Sequence, residues 1–214
     1  MTIGLHLEDV SISLAGRELV PPIDLTVASG TVTTVMGPSG AGKSTLLAYI
    51  GGFLDPAFAA SGRVMIDGVD VTELPAEQRR IGILFQDDLL FPHLSVGGNL
   101  AFGLSETVRG RPERQQRIEM ALASAGLAGF APRDPATLSG GQRARIALLR
   151  TLLAEPCALL LDEPFAKLDA DLRRDFRRFV FTHVTERLLP TLLVTHDIDD
   201  AAAAGGPIFT LKTD

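Results

Sequence analysis

The chain has 214 residues, of which 46% are hydrophobic and 21% charged, and its formal net charge at pH 7 is −6. These values suit one α/β domain, or one domain with an inserted subdomain, with a proper core. The acidic balance argues against a general nucleic-acid binder, because contacts to phosphates need a basic face. We find no apolar run near the roughly 18–20 residues of a membrane span and no leader-like N-terminus, so we expect a cytosolic protein.

Alternating apolar and polar side chains mark the first predicted strands. Apolar residues occupy every second position in residues 3–8, starting with Ile3, and again in residues 23–28. This pattern predicts two strands with one buried face each, in an antiparallel flank. Further on, Asp67 and Gly68 separate two short apolar runs, and an Asp-Gly pair favours the positive φ angles of a tight hairpin turn.

A glycine-rich loop lies between a β-rich run, residues 31–36, and a helix-prone run, residues 46–50. It consists of Gly37, Pro38, Ser39, Gly40, Ala41, Gly42, Lys43, Ser44 and Thr45. Main-chain N–H groups can hold a triphosphate where glycines let the backbone come close with positive φ. Lys43 should reach the β- and γ-phosphates, and Ser44 should offer its hydroxyl to Mg²⁺. The loop predicts nucleoside triphosphate binding, but it does not separate kinases, GTPases, motors and transport ATPases.

Loops and helices dominate residues 87–156. Pro112 and Glu113 suit the first turn of a helix that stops at Gly126, and a second helix begins after Ser139 and runs to the helix breaker Pro156. We interpret residues 87–156 as a helical subdomain inserted into a core subdomain of residues 1–86 and 157–214. Both belong to a single predicted domain, residues 1–214.

Three buried strands end in polar residues. These residues are Gln86, the pair Asp162 and Glu163, and His196. Because parallel strands deliver functional groups at their carboxyl ends, we expect these side chains to gather at the edge where the glycine-rich loop lies. Taken singly, each has an ordinary explanation as a cap, a surface acid, a core histidine or a loop amide. Their joint placement favours a catalytic site.

Each of these polar residues has a predicted role. Adjacent strand residues point to opposite faces, so Asp162 and Glu163 should differ in function. Asp162 is predicted to hold hydrated Mg²⁺ alongside Ser44, and Glu163 to orient or deprotonate the attacking water. His196 is predicted to compensate charge on the γ-phosphate, and Gln86 to touch both Mg²⁺ and water.

A second glycine-containing helix start lies in residues 138–142. Its sequence is Leu138, Ser139, Gly140, Gly141 and Gln142. A serine N-cap, glycines that allow close approach and a helix dipole favour an anion, although a well-capped helix without a ligand is the alternative. Because the chain already has one phosphate loop, two such sites suggest a head-to-tail dimer. ATP would then lie between Lys43 of one subunit and Ser139 of the other.

With these motifs, nearly the whole chain resembles the ATP-binding cassette (ABC) ATPases. The matching segments are Walker A at residues 37–45, the Q-loop Gln86, the signature at residues 138–142, Walker B at residues 159–162 with catalytic Glu163, the D-loop Leu168 and Asp169, and the switch histidine His196. The resemblance implies an α/β P-loop NTPase core with a mostly parallel sheet, an antiparallel N-terminal β flank and an inserted α-helical subdomain. It also implies ATP hydrolysis with Mg²⁺, catalysis by Glu163, His196 and Gln86, and metal binding by Ser44, Gln86 and Asp162.

Within that family, residues 84–86, 90–96 and 162–165 resemble the ATPase subunits of bacterial importers for small solutes, of the thiamine, molybdate, sulfate and polyamine types. The resemblance implies a homodimer beneath integral membrane permease subunits, at the cytoplasmic face of the bacterial inner membrane. A periplasmic solute-binding protein would deliver the solute, and no nucleic acid would be involved. The segment after Gln86 would contribute to the groove that receives a coupling helix of the permease.

The sequence departs from the family pattern at three places. Leu14 stands where the family usually has an aromatic that stacks on adenine, and losing such a stack costs about 1–3 kcal/mol. Ala166 replaces the usual D-loop serine. We also expect no C-terminal regulatory domain like that of the sugar-importer ATPases.

Other functions stay open from the sequence alone. One alternative is a soluble ABC ATPase of iron–sulfur assembly or DNA maintenance, although the acidic balance and the lack of a zinc motif argue against DNA repair. An exporter or a lipoprotein-release ATPase is another. A nucleotide kinase would leave Ser139 and His196 unexplained.

Overall fold

A computed structural model describes residues 4–211, so Ile3 and the two ends of the predicted domain lie outside the described residues. The strands are β1 Gly4–Leu14, β2 Arg17–Ala28, β3 Val32–Met36, β4 Phe58–Ile66, β5 Val69–Asp70, β6 Ile81–Leu84, β7 Ala158–Asp162, β8 Thr191–Val194 and β9 Ile208–Thr210. The α-helices are α1 Lys43–Gly51, α2 Ala76–Arg79, α3 Val96–Gly103, α4 Arg111–Ser124, α5 Gly140–Leu153, α6 Ala170–Glu186 and α7 Ile198–Ala204, with a short 3₁₀ helix at Pro135–Thr137.

The chain divides into two compact units. The first, called the core unit, contains the described residues up to Ile83, then Cys157–Glu163, and then the chain from Phe181 onward. The second, called the helical unit, contains Leu84–Pro156 and Pro164–Val180. The predicted helical block of residues 87–156 therefore lies in the helical unit together with a later segment.

The antiparallel sheet of the core unit has the strand order β2-β1-β4-β5. Leu5 and Leu7 of β1 are buried, as the period-two pattern of residues 3–8 predicts. A register shift between Leu7 and Val10 then moves the buried positions to Val10 and Ile12. The predicted hairpin is confirmed: β4 and β5 pair antiparallel, and Asp67 and Gly68 have φ angles of 50° and 81°. This sheet is the predicted antiparallel flank.

The second sheet of the core unit has the order β6-β7-β8-β3-β9, and β3 pairs in parallel with both β8 and β9. Strand β7 also runs parallel to β8. The first four residues of β3 and β7 and all of β8 are buried. Burial on both faces explains the apolar runs of β7 and β8, whereas β3 buries Thr33 and Thr34 between its apolar residues. The predicted α/β fold with a parallel sheet is confirmed.

Helix packing builds the core of the helical unit. Helix α4 begins with proline in its first turn and buries Ile118 and Leu122, and α5 buries Ile146 and Leu149 against them. The later segment joins this unit through aromatic side chains, because Phe179 packs on the same core and the guanidinium carbon of Arg145 lies 5.4 Å from its ring centroid. Among residues 4–211, no helix combines the length and the apolar composition that crossing a bilayer requires.

Candidate active site

The glycine-rich loop connects β3 to α1 in the core unit. Gly40 and Gly42 have left-handed φ angles of 84° and 81°. A Cβ at Gly42 would lie 2.9 Å from Val20 Cγ2, so both conformation and space require glycine there. Gly42 is also the N-cap of α1, and no side chain caps this helix. The first N–H groups of α1 are therefore available to an anion.

Lys43 is buried within this loop, at 7% exposure. Its Nζ donates to the carbonyl oxygens of Gly37 and Pro38, at 2.9 Å each. An ammonium group has three N–H donors, and these two bonds leave one for a ligand. The loop therefore holds a positive charge beside its own N–H groups, which is the chemistry that a polyphosphate needs.

The predicted metal-binding pair comes together in the core unit. Ser44 Oγ donates to Asp162 Oδ1 at 3.2 Å, although 118 residues separate them along the chain. Burial raises the pKa of Asp162, with a contribution from the charge of Glu163, while the Ser44 hydrogen bond and Lys43 oppose the rise. A divalent cation would compensate this partly buried carboxylate.

The oxygen donors of Ser44 and Asp162 fit Mg²⁺, which takes only a few protein ligands. They do not form a complete set for a metal that is held by protein side chains alone. Within the described range 4–211, no cluster of three or more His, Cys, Asp or Glu side chains could hold a metal ion. Mg²⁺ usually takes one or two protein oxygens and completes its shell with water and substrate phosphates. Ser44 and Asp162 provide such a partial set beside the phosphate loop.

Glu163 and His196 form the second contact at this sheet edge. Glu163 Oε1 lies 3.0 Å from His196 Nδ1. The two adjacent acids thus have different partners, but strand alternation, on which the prediction of different functions rested, is not the reason. Strand β7 ends at Asp162, and Glu163 has a left-handed φ of 46°, so a turn of the backbone separates the two side chains rather than strand alternation.

Two residues that the sequence analysis missed support the segment around His196. Thr195 Oγ1 donates to Asp200 Oδ2 at 3.0 Å and accepts from the Asp197 N–H at 3.1 Å. Thr195 and Asp200 are both 2% exposed, so these bonds form away from water. The available signal in the sequence was an acid, Asp200, shortly after the end of strand β8.

Leu14 lies at the end of β1, 38% exposed, opposite Arg17 in the β1–β2 hairpin. The hairpin continues in β2, where Leu19 and Val20 contact the position of Gly42. The structure therefore brings the strand pair that carries Leu14 against the glycine-rich loop.

The signature residues lie in the helical unit, at the start of α5. Ser139 Oγ accepts from the Gln142 N–H at 3.3 Å, and Gln142 Oε1 accepts from the Ser139 N–H at 3.0 Å. This reciprocal capping box leaves out the N–H groups of Gly140 and Gly141, the first two of the helix. Ser139 is exposed and retains its hydroxyl proton for donation.

Gln86 and Asp169 also lie in the helical unit. Gln86 is exposed, two residues after β6, and lines a cavity of about 570 Å³ to which Gly140 also contributes. Asp169 Oδ1 accepts from the Leu172 N–H at 3.0 Å at the start of α6. Of the predicted residues, the structure thus brings together Lys43, Ser44, Asp162, Glu163 and His196 in the core unit.

Comparison with known proteins gives three kinds of match. A family described as "ABC transporter" matches residues 20–166. The uncharacterized ABC transporter ATP-binding protein YnjD of Escherichia coli is 48% identical over 93% of this chain and 91% of its own length. The Fe(3+) ions import ATP-binding protein FbpC 1 of Rhizobium meliloti is 44% identical over 90% of this chain, which spans only 54% of that relative.

A solved structure matches as well. It is the dimeric structure of a post-hydrolysis state of the ATP-binding cassette MJ0796 bound to ADP and Pi. Its TM-score is 0.80 at 31% sequence identity, with 97% of this chain and 94% of that chain covered.

Proposed function

The chain belongs to the ABC transporter family, and we propose that it is the ATP-binding and ATP-hydrolysing subunit of a bacterial importer for a small solute. The observation that carries the proposal is the arrangement in the core unit: Ser44 contacts Asp162 at 3.2 Å, and Glu163 contacts His196 at 3.0 Å. These contacts lie where strands β7 and β8 end, beside the phosphate loop that follows β3. The import function named for the Rhizobium meliloti relative supports the direction of transport.

ATP binding is the first step. The uncapped N–H groups at the start of α1 and the ammonium of Lys43 bind the phosphates of ATP. The Mg²⁺ that accompanies ATP offsets negative charge on the phosphates, and Ser44 and Asp162 are the residues of the core unit that would hold it.

Hydrolysis requires a water molecule that is oriented toward the γ-phosphate. Glu163 accepts a hydrogen bond from this water and draws off its proton as the water oxygen bonds to the γ-phosphorus. The bond between that phosphorus and the β–γ bridging oxygen breaks, and ADP leaves with this oxygen. His196 orients Glu163 through Nδ1. In the imidazolium form both ring nitrogens donate, so Nε2 stabilises the charge that develops on the γ-phosphate.

A second copy of the chain completes the site in this proposal. Ser139, with its free hydroxyl proton, and the N–H groups of Gly140 and Gly141 would bind the γ-phosphate held by the other subunit. The dimeric state of the similar MJ0796 cassette supports a homodimer. ATP closes the dimer because it binds the closed form better than the open form.

The remaining partners follow from the importer function. We propose that the homodimer works at the cytoplasmic face of the inner membrane as a peripheral pair, docked on permease subunits that receive solute from a periplasmic binding protein. Co-purification of membrane subunits with a tagged chain from its native bacterium tests this against a soluble ABC ATPase of iron–sulfur assembly or DNA maintenance. Recovery of the chain alone, under conditions that preserve membrane complexes, would contradict the importer.

Glu163→Gln tests the shared site directly. We expect the variant to bind ATP but to lose hydrolysis, so that size-exclusion chromatography with MgATP shows a trapped dimer. Glu119→Gln, an exposed position on α4, is the matched control and should hydrolyse ATP like the wild type. A Glu163→Gln variant that stays monomeric with MgATP would contradict the dimeric site, and one that still hydrolyses ATP would contradict the role of Glu163.

A further inference from the structure

Two arginines of α5 hold the segment that follows Gln86 within the helical unit. Arg150 Nη1 donates to the carbonyl oxygen of Leu89 at 2.8 Å, and its guanidinium carbon lies 5.3 Å from the ring centroid of Phe91. The hydrogen bond of Arg150 uses a main-chain oxygen, so it does not depend on which side chain occupies position 89. Arg150 therefore anchors the segment through the main chain at position 89 and through the ring of Phe91.

Arg143 makes a contact of a different kind, because it forms an ion pair with a side chain of this segment. Its Nε donates to Asp88 Oδ2 at 3.2 Å, and its Nη1 donates to the carbonyl oxygen of Leu138 at 2.8 Å. The Asp88 side chain is 29% exposed, so water screens this pair only in part. One planar guanidinium thus connects an acid of the segment after Gln86 to the residue before Ser139.

The rigidity of this connection determines what it can do. The guanidinium donors stand in a fixed fork, so the positions of Asp88 and of the Leu138 carbonyl are coupled. Leu138 is 4% exposed, and its carbonyl shares a peptide plane with the Ser139 N–H, which donates to Gln142. The direction of that carbonyl therefore sets the orientation of the serine N-cap.

Asp88 and Arg143 also share a location. Both line the cavity of about 570 Å³, together with Gln86 and Gly140. The charge pair thus faces the same cavity as the predicted Q-loop residue and the first glycine of α5, and all of these belong to the helical unit.

We propose that Asp88 is a positioning residue for ATP hydrolysis, which holds Arg143 and through it orients the Ser139 N-cap toward the nucleotide of the second subunit. The inference rests on the proposed function, because it assumes that Ser139 acts on ATP. Asp88 itself touches no substrate. Its loss should slow hydrolysis within the dimer and leave the first binding of ATP to the core unit unchanged.

The test compares Asp88→Asn with Asp175→Asn in the full chain. Asn keeps the size of the side chain at both positions, and Asp175 pairs with Arg178 at 3.0 Å on the exposed face of α6, in the same unit. We expect Asp88→Asn to lower kcat about tenfold, with the Kd for ATP within twofold of wild type. Asp175→Asn should match the wild type in both. Asp88→Glu, which keeps the charge, should recover part of the lost kcat.

Arg143→Lys provides the second arm, because a lysine cannot hold the carboxylate and the carbonyl with one rigid fork. Its loss of kcat should not add to that of Asp88→Asn in the double variant. Unchanged kcat in Asp88→Asn, additive losses, or a Kd that rises in parallel would overturn the inference while the wild type still hydrolyses ATP. If the wild type does not hydrolyse ATP and the Glu163→Gln variant does not dimerise with MgATP, these results contradict the proposed function itself and not only the role of Asp88.

Discussion

Helices α1 and α5 both begin with glycines, but they satisfy their first N–H groups in opposite ways. Helix α1 has Gly42 as its N-cap, and no side chain caps it. Helix α5 has Ser139 as its N-cap, with a complete capping box. Four N–H groups at the start of a helix need partners. The first helix start has no side-chain partner for them and is built for a ligand, whereas the capping box of the second satisfies the N–H groups of Ser139 and Gln142.

This difference assigns separate tasks to the two helix starts. The α1 start, with Lys43 buried beside it, should supply most of the affinity for ATP. The α5 start is stable without a ligand and offers mainly the hydroxyl proton of Ser139 and the N–H groups of two glycines. A single subunit should therefore bind ATP through its core unit. The signature, residues 138–142, should contribute to ATP binding and hydrolysis only in the dimer.

Lys43→Ala should have the largest effect on this comparison. It removes a charge-assisted donor from the phosphate loop, so we expect the Kd for ATP to rise about 100-fold or more, measured by calorimetric titration with MgATP. Lys167→Ala removes an exposed lysine of the helical unit, which pairs with Asp87, and should leave the Kd unchanged. Retained affinity in Lys43→Ala would contradict the assignment of the loop.

Ser139→Ala separates the capping role from the ligand role at α5. Ser95 is the matched control, because it caps α3 in the same unit by accepting from the Gly98 N–H. Each alanine variant should lose about 1 kcal/mol of unfolding free energy, or roughly 2–4 °C in Tm. Only Ser139→Ala should also lose ATP hydrolysis, by roughly tenfold to 100-fold, with the monomer's Kd for ATP unchanged. Equal ATP hydrolysis in the two variants would show that Ser139 caps α5 and does not act on ATP.

Leu14→Tyr should have the smallest effect and acts on the affinity of the core unit. A tyrosine at the end of β1 would restore an aromatic surface for adenine, which we expect to add about 1 kcal/mol of binding free energy, or roughly fivefold in Kd. Leu14→Ala serves as the control without a ring and should not gain affinity. If Leu14→Tyr binds ATP no better than the wild type, the adenine does not lie against this hairpin.

Local patterns accounted for much of the fold and of the core-unit site. The apolar runs of β7 and β8 predict buried parallel strands, and such strands place their last residues at one edge, which is why Asp162 and His196 could be found from sequence. The turn at Glu163 could not be found, because a left-handed φ in a non-glycine residue has no sequence signal of its own.

Long-range contacts explain the rest of what the sequence did not predict. The membership of Pro164–Val180 in the helical unit depends on how Phe179 packs with residues far earlier in the chain. Asp88 and Arg143 lie 55 residues apart, so neither residue alone indicates a charge pair. Periodicity describes which face of an element is buried, but it does not identify the partner on the other side.

The carbonyl oxygens that hold Lys43 bear on the evolution of this site. The ammonium has already left water when the chain folds, so its dehydration counts against conformational stability and not against nucleotide affinity. A mutation that replaces Lys43 with a neutral residue therefore removes this dehydration cost from the folding free energy, while it removes the charge that binds ATP. Selection for conformational stability alone would not favour a buried lysine here, whereas selection for ATP-dependent activity retains it.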